Sequence, residues 1–156
     1  MDEAKTVVSR LRAQGGTLAT AESCTGGMLG KLITDVPGAS EVYLGGVISY
    51  AYEVKEKLLG VDATILKQRG AVCEEVAVQM AQGARSLLHA DFALSTTGNA
   101  GPGTDPNNPN VGEIFVACAS GKGIICKRLM LQGGREENRT EACRAALCLL
   151  EEVCCE

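Results

Sequence analysis

The chain of 156 residues has the length of one ordinary domain, and its 46% hydrophobic and 22% charged residues are typical of a globular protein. A net charge of −4, the lack of any block of Lys or Arg and an aromatic content of 3% argue against a surface built to bind nucleic acid or an anionic membrane. A single histidine excludes a metal site made of several histidines.

Hydrophobic periodicity predicts alternating helices and strands along the whole chain. Helices are predicted over residues 2–14, 28–33, 52–59, 62–69, 74–89 and 135–153. Strands are predicted over residues 17–21, 42–51, 92–96, 113–120 and 124–131, with a bulge or a close backbone approach at Gly45-Gly46. This order, without an internal repeat, predicts a single α/β domain over residues 1–156, in which a mixed sheet lies between two helical layers in a three-layer α/β/α arrangement.

Residues 98–112 read GNAGPGTDPNNPNVG and hold three of the four prolines of the chain. Such a segment cannot form a helix or a central strand, because proline lacks the backbone donor that both structures need. A long segment without regular structure inside a compact domain is usually functional. We therefore predict a functional loop here.

The eight cysteines include no C-x-x-C pair, which argues against a zinc ribbon and a dithiol redox centre. The acidic N-terminal residues lack the apolar stretch of a signal peptide, and no apolar run reaches the length of a membrane span. We expect a reduced, cytoplasmic protein whose cysteines mostly act as small core residues, with Cys154 and Cys155 exposed.

The first candidate site is the junction of strand, SCTGG and helix around Ser23. Free backbone N–H groups and the positive end of a helix dipole at such a junction suit a phosphate or an oxyanion. The alternative is that Ser23 or Thr25 simply caps the helix. The segment is not a P-loop, because Gly30-Lys31 is followed by Leu32 instead of Ser or Thr.

A nucleophilic Ser23 would need a base, and the sequence offers few. His89 falls near the end of an amphipathic helix, where a solvated imidazole is the usual interpretation. Tyr50 and Lys55 follow the second strand, and a desolvated lysine can lose its proton near neutral pH. Spacing alone does not distinguish Lys55 from three other lysines: Lys31, Lys57 and Lys67.

A third candidate region follows the strand that ends near Thr97. Ligands of open α/β sheets collect beyond the carboxyl ends of the strands, so Thr97 and the glycine amides after it are expected to face the same cleft as Ser23. Arg135 and Arg139 open the last helix, where acidic residues would suit the dipole better, which hints at phosphate binding. A long structural turn and two solvated arginines are the alternatives.

Several motifs closely resemble the CinA C-terminal-domain family, and they occur in the family's order over nearly the whole chain. They are AESCTGG at residues 21–27, TDVPGAS at 34–40, GGVISY at 45–50, EVK at 53–55, LLGV at 58–61, GAV at 70–72, TG at 97–98, AGP at 100–102 and VG at 111–112. The resemblance implies the family's fold and its best-described activity, the deamidation of nicotinamide mononucleotide to nicotinate mononucleotide and ammonia in pyridine nucleotide recycling.

The resemblance also implies roles for individual residues. The family's proposed catalytic group falls on Ser23 as nucleophile and on Lys55, helped by Tyr50, as the group that accepts and returns the proton. Backbone amides near Thr25, Gly26 and Gly27 would stabilise the oxyanion. Thr97 and Gly98, together with Arg135 and Arg139, would bind the nucleotide. No metal and no organic cofactor is implied.

The chain departs from the family pattern at three positions next to these motifs. Asn99 replaces an apolar residue in TGxAGP, Tyr52 stands where a small polar residue is common, and Cys73 replaces a serine that would cap a helix. Many CinA proteins also carry an N-terminal domain that resembles molybdopterin-binding enzymes. Its absence from this sequence predicts a stand-alone deamidase.

The sequence leaves two other functions as alternatives to the deamidase. One is a catalytically inactive nucleotide-binding or regulatory module of competence or damage responses, which would not need Ser23, Tyr50 and Lys55 together. The other is a thiol redox protein, which the lack of C-x-x-C makes remote. We expect a small nucleotide as ligand, no nucleic acid or membrane partner, and a homo-oligomer formed through the apolar hairpin and the last helix.

Overall fold

A five-stranded mixed sheet forms the centre of the molecule in the computed structural model, which describes residues 1–155. Its strands are β1 Leu18–Glu22, β2 Tyr43–Ile48, β3 Phe92–Gly98, β4 Glu113–Ser120 and β5 Gly123–Met130. Their spatial order is β2-β1-β3-β4-β5. Strand β1 runs parallel to both β2 and β3, whereas β4 is antiparallel to β3 and β5 is antiparallel to β4.

Six helices cover the two faces of this sheet. They are α1 Asp2–Gln14, α2 Met28–Thr34, α3 Tyr52–Leu59, α4 Ala63–Arg69, α5 Glu74–Leu88 and α6 Arg135–Cys154. Helices α1, α2 and α6 supply one hydrophobic core, and α3, α4 and α5 supply the core on the opposite face. The predicted three-layer α/β/α arrangement is therefore confirmed, with all predicted helices and strands present.

The alternation of side chains along the strands assigns residues to the two cores. Leu18 and Leu94 point toward α1 and α6, whereas Ala19 and Ala93 point toward α5. The small alanines let α5 approach the sheet closely, with Met80 packed in the same core. Strand β1 is buried along its whole length, including the polar Thr20 and the charged Glu22.

Strand β2 contains the irregularity that its glycine pair predicts. The register between β1 and β2 shifts between Leu18 and Ala19, where the partner changes from Tyr43 to Gly45. A side chain at Gly46 would overlap the Thr20 hydroxyl, so the backbones approach more closely here than a larger residue allows. Of the predicted bulge or close approach at Gly45-Gly46, the close approach is found at Gly46, and the register shift lies directly before the pair, at Leu44.

The carboxyl ends of the three parallel strands lie side by side at one edge of the sheet. The Ser23 amide donates to the Thr96 carbonyl over 2.9 Å, and the Ser49 amide donates to the Glu22 carbonyl over 2.8 Å. These bonds carry the pairing one residue beyond β1 and β2. They bring the segments after β1, β2 and β3 to one place, as expected for a ligand cleft in an open sheet.

The cysteines and the helices agree with the sequence-based expectations where the structure tests them. All eight cysteines are free, four of them are buried, and Cys155 is exposed, although Cys154 is half-buried. Within residues 1–155, each helix is either too short or too polar to cross a bilayer.

Gly83 of α5 lies where the end of α3 packs most closely, and a Cβ there would overlap the Leu59 carbonyl. Replacing a helical glycine by alanine normally stabilises a helix by about 1 kcal/mol. We expect Gly83→Ala to lower the free energy of unfolding by about 2 kcal/mol instead, because α3 must move away. Urea unfolding measures this difference. Gly103→Ala, at a site with open space around it, is the control and should change stability by less than about 0.5 kcal/mol; equal effects of the two variants would contradict the packing argument.

Candidate active site

The Lys55 ammonium and the Ser23 hydroxyl meet beneath the carboxyl edge of the sheet. Lys55 Nζ lies 2.8 Å from Ser23 Oγ, 2.6 Å from the Ser49 carbonyl and 3.1 Å from the Tyr50 carbonyl. The Lys55 side chain is completely buried, and Ser23 is 8% exposed. The structure thus brings the reactive atoms of these two candidate residues into direct contact.

Burial lowers the pKa of Lys55 from 10.5 to about 8, because a charged amine loses its hydration there. The geometry suits the neutral amine as well as the ammonium. Two N–H groups of a neutral amine can donate to the carbonyls of Ser49 and Tyr50, and its lone pair then accepts the hydroxyl proton of Ser23. A lysine in this arrangement can take a proton from the serine without moving.

Lys55 was one of four lysines that spacing left equivalent, and the fold distinguishes it. Lys31, Lys57 and Lys67 are all exposed. On α3, Lys55 shares the buried face with Leu59, four residues later. A lysine on the apolar stripe of an amphipathic helix is the signal that would have identified it.

Tyr50 contributes to this cluster with its backbone rather than with its hydroxyl. Its carbonyl accepts from Lys55, whereas its side chain is 62% exposed and lines the cleft above Ser23. Among residues 1–155, the Tyr50 hydroxyl has no hydrogen-bond partner. Its help in proton transfer stays a prediction, which would require the side chain to meet a bound substrate from the open side of the cleft.

The turn that presents Ser23 is held by Glu22, a residue to which the sequence analysis gave no role. Its buried carboxylate accepts from the Thr25 hydroxyl at 2.6 Å and from the amides of Gly27, Leu29 and Gly30 at 2.8–3.2 Å. These amides open helix α2, whose dipole favours a negative charge at this end. In the sequence, a carboxylate between a buried strand and a helix is the feature that could have indicated this capping role.

This capping changes which amides are free for a ligand. The Gly27 amide is bound to Glu22, and the Gly26 amide donates to the Ser23 carbonyl at 3.1 Å. The Thr25 hydroxyl is also bound, to Glu22 and to Thr96. In the described part of the chain, the amides of Cys24 and Thr25 donate to no oxygen, which leaves them as the available donors directly after Ser23.

Arg139 and Arg135 take different places, although both had been predicted to bind the nucleotide. Arg139 donates to the carbonyls of Cys24 at 3.0 Å and Thr25 at 2.9 Å, so its guanidinium holds the Ser23 turn. Arg135 lies at the rim of the cleft and donates to the Gly101 carbonyl at 2.8 Å. Of the two, Arg135 is the one that faces the cleft.

The cleft above Ser23 has a volume of about 340 Å³. Thr97 and Gly98 line it, as predicted, and the Thr97 hydroxyl donates to the Ala71 carbonyl at 2.8 Å. The loop after Gly98 forms the opposite wall through Asn99 and Asp105. This size is in the range of small-molecule sites.

The residue directly after Ser23 is Cys24, whose side chain is buried. Burial raises the pKa of Cys24 to about 12, so this neighbour of Ser23 is a thiol near neutral pH. Within residues 1–155, no three or more His, Cys, Asp or Glu side chains form a group that could hold a metal ion. His89 lies at the C-terminal cap of α5 and not in the cleft.

Comparison with known proteins gives consistent matches. The family model of the CinA C-terminal domain matches residues 2–154. A relative from Caldanaerobacter subterraneus subsp. tengcongensis, whose name refers to competence-damage induction, is 50% identical over 137 residues, which are 87% of this chain and 33% of the relative. A CinA-like protein of Geobacter sulfurreducens is 45% identical over 143 residues, which are 91% of this chain and 35% of that protein. The chain thus spans about a third of the length of these curated relatives.

A solved structure shares the whole fold. The competence/damage inducible protein CihA from Agrobacterium tumefaciens superposes with a TM-score of 0.92 at 34% identity, covering 97% of this chain and 93% of that one.

The shifted pKa of Lys55 makes the stability of the protein depend on pH. Between about 8 and 10.5 the unfolded chain holds a proton that the folded chain has lost, so stability rises with pH in this window. Relative to Lys55→Met, the free energy of unfolding of the wild type should rise by about 3 kcal/mol from pH 8 to 10.5. Urea titrations at several pH values measure the difference. If the difference in unfolding free energy between the two proteins stayed constant across this pH range, burial would not lower the pKa of Lys55.

Proposed function

The chain belongs to the CinA C-terminal domain family, and we propose that it is an amidohydrolase that converts nicotinamide mononucleotide and water into nicotinate mononucleotide and ammonia. The observation that carries this proposal is the buried contact between Lys55 and Ser23, which has the form of a serine–lysine hydrolase pair. Neutral lysine is the base that activates the hydroxyl. A module that only binds a nucleotide gains nothing from burying an amine against a serine.

The first half of the reaction forms an ester between the enzyme and the substrate. Ser23 Oγ attacks the carboxamide carbon while its proton moves to the neutral Lys55 Nζ. The resulting tetrahedral intermediate collapses when Lys55 returns the proton to the amide nitrogen. Ammonia leaves, and the nicotinoyl group stays on Ser23 Oγ.

The second half of the reaction restores the enzyme. Water attacks the ester carbon and gives its proton to Lys55, which passes it to Ser23 Oγ as the acyl bond breaks. The products are the nicotinate nucleotide and the free serine. Two carbonyls hold Lys55 throughout the reaction. The proton transfers therefore all use the remaining hydrogen-bonding position of the amine, which points toward Ser23.

The negative oxygen of the tetrahedral intermediate needs hydrogen-bond donors that are already in position. We assign this role to the amides of Cys24 and Thr25, since those of Gly26 and Gly27 are bound internally. Arg139 supports the assignment for Thr25, because the Cys24 carbonyl that it binds belongs to the same peptide group as the Thr25 amide. The Cys24 amide shares its peptide group with the Ser23 carbonyl, which accepts from the Gly26 amide.

The rest of the substrate would occupy the cleft between Ser23 and the loop after Gly98. Arg135 at the rim is the cation that we assign to the phosphate, and Thr97 and Gly98 form the floor. We place the activity in the cytoplasm, in the recycling of pyridine nucleotides.

Ammonia release from nicotinamide mononucleotide tests the proposal. We expect the wild type to release ammonia and both Ser23→Ala and Lys55→Ala to lose at least two orders of magnitude in kcat/KM, because each removes one member of the pair. Lys57→Ala is the matched control, since this exposed lysine lies on the same helix and outside the cleft. It should keep wild-type activity.

Two outcomes would count against the amidohydrolase. Full activity of the Ser23→Ala protein would refute a mechanism in which Ser23 is the nucleophile. A folded wild type that binds the nucleotide but releases no ammonia would favour the nucleotide-binding or regulatory module instead.

The pH dependence of the reaction should reflect the titration of Lys55. The base must be neutral in the free enzyme, so kcat/KM should rise with pH along a limb with an apparent pKa of about 8. At pH 7, kcat/KM should be about a tenth of the constant value that it reaches at high pH. Initial rates from pH 6 to 9.5 measure the limb, with Lys57→Ala in parallel. A flat profile over this range would exclude a lysine that must lose its proton.

A further inference from the structure

One wall of the cleft is built from two of the chain's departures from its family pattern and a third residue. The Tyr52 hydroxyl donates to the Asp105 carboxylate, and the Asp105 amide donates to the Asn99 side-chain oxygen at 2.8 Å. The Asn99 amide group in turn donates to the carbonyls of Asn108 and Asn110, both at 3.1 Å. Tyr52, Asn99 and Asp105 thus connect helix α3 to the loop across the cleft.

The carboxylate of Asp105 is fixed in place. It accepts from the Ala71 amide at 3.2 Å, from the Asn107 amide at 3.0 Å and from the Tyr52 hydroxyl. Burial, together with this carboxylate, raises the pKa of Tyr52 to about 12, so the phenol keeps the proton that it donates. A side chain held by three donors from three segments does not swing away when a ligand enters.

Asp105 also dominates the negative charge of the cleft. Among the described residues that line it, Asp105 is the one acidic side chain, whereas Lys55 and Arg135 are basic. The negative charge of Asp105 also acts on Lys55, at the end of the cleft where Ser23 lies. Burial lowers the pKa of Lys55, and the Asp105 charge is one of the influences that oppose this shift.

The charge matters for the substrate of the proposed reaction. The pyridine ring of nicotinamide mononucleotide carries a permanent positive charge on the nitrogen that bears the ribose. When the carboxamide is at Ser23, this ring must lie in a cleft that already contains two basic side chains. Without a compensating anion, Arg135 and the protonated form of Lys55 would repel it.

We propose that Asp105, held by Tyr52 and Asn99, is a specificity-determining residue that selects a positively charged ring beside the amide over a neutral one. This inference rests on the proposed function and deepens it, because it names the class of amide that the cleft accepts: carboxamides on a cationic aromatic ring. Tyr52 and Asn99 are positioning residues, because they bind Asp105 and fix where it lies.

Binding to a Ser23→Ala background tests the inference without turnover. Isothermal titration calorimetry with nicotinamide mononucleotide and with its reduced form, which has the same phosphate but an uncharged dihydropyridine ring, gives the two affinities. Adding Asp105→Asn should weaken binding of the charged ligand about tenfold and of the neutral ligand less than twofold. Tyr52→Phe keeps the Asp105 carboxylate but removes one of its donors. It should also weaken binding of the charged ligand, by less than Asp105→Asn does. Asp2→Asn removes an exposed carboxylate outside the cleft and should change neither affinity.

The ratio of the two affinities separates charge recognition from a merely structural role. An equal loss for both ligands, an unchanged ratio, or no binding of the charged ligand by Ser23→Ala would each overturn the inference. Ammonia release by the wild type is measured beside these titrations. Its absence would refute the proposed function, whereas ammonia release with an unchanged affinity ratio would refute only the role of Asp105.

Discussion

The burial of the Lys55 amine is the constraint on which the arrangement of the cleft depends. Removing a cation from water is costly, and a protein tolerates it only when the amine is hydrogen-bonded or loses its charge. Here the carbonyls of Ser49 and Tyr50, at the carboxyl end of β2, satisfy two of its hydrogens. The third partner is the Ser23 hydroxyl, which can either accept or donate. Burial therefore lowers the pKa of Lys55 to about 8. A neutral amine, which can act as a base, is then accessible next to the Ser23 hydroxyl near neutral pH.

Two charged side chains hold the turn that carries Ser23, and neither faces the open cleft. Glu22 binds the amides at the start of α2, and Arg139 binds the carbonyls of Cys24 and Thr25. The helix N-terminus, which a sequence motif rich in Gly and Thr suggests as an anion site, is thus closed by the protein's own carboxylate. The same closure makes this helix N-terminus unsuitable as a phosphate cradle and is consistent with the proposed serine–lysine chemistry.

The sequence predicted the helices, the strands and the sheet edge well, because these depend on local periodicity and on turn residues. Spacing alone did not distinguish Lys55 from the other lysines, since its burial depends on how α3 packs against α5 and the segments after β1 and β2. The role of Glu22 was missed because a carboxylate at a strand end is usually solvated. Asp105 was missed for another reason: its contacts with Ala71 and Tyr52 join segments that are more than thirty residues apart. Side chains whose partners come from distant segments cannot be assigned from spacing.

The hydrogen bonds around the cleft follow a consistent pattern. Several polar groups that hold the Ser23 turn and the cleft, among them the Glu22 carboxylate and the hydroxyls of Thr25 and Thr97, are bound to internal partners. What stays available beside Ser23 within the described chain is its reversible bond to Lys55, two backbone amides directly after the serine and the exposed Tyr50 hydroxyl. Buried polar groups without partners are destabilising, so unpaired amides at this place point to a partner that another molecule supplies. The available groups in this cleft match those that an acyl transfer requires: a nucleophile, its base and donors for the developing negative charge.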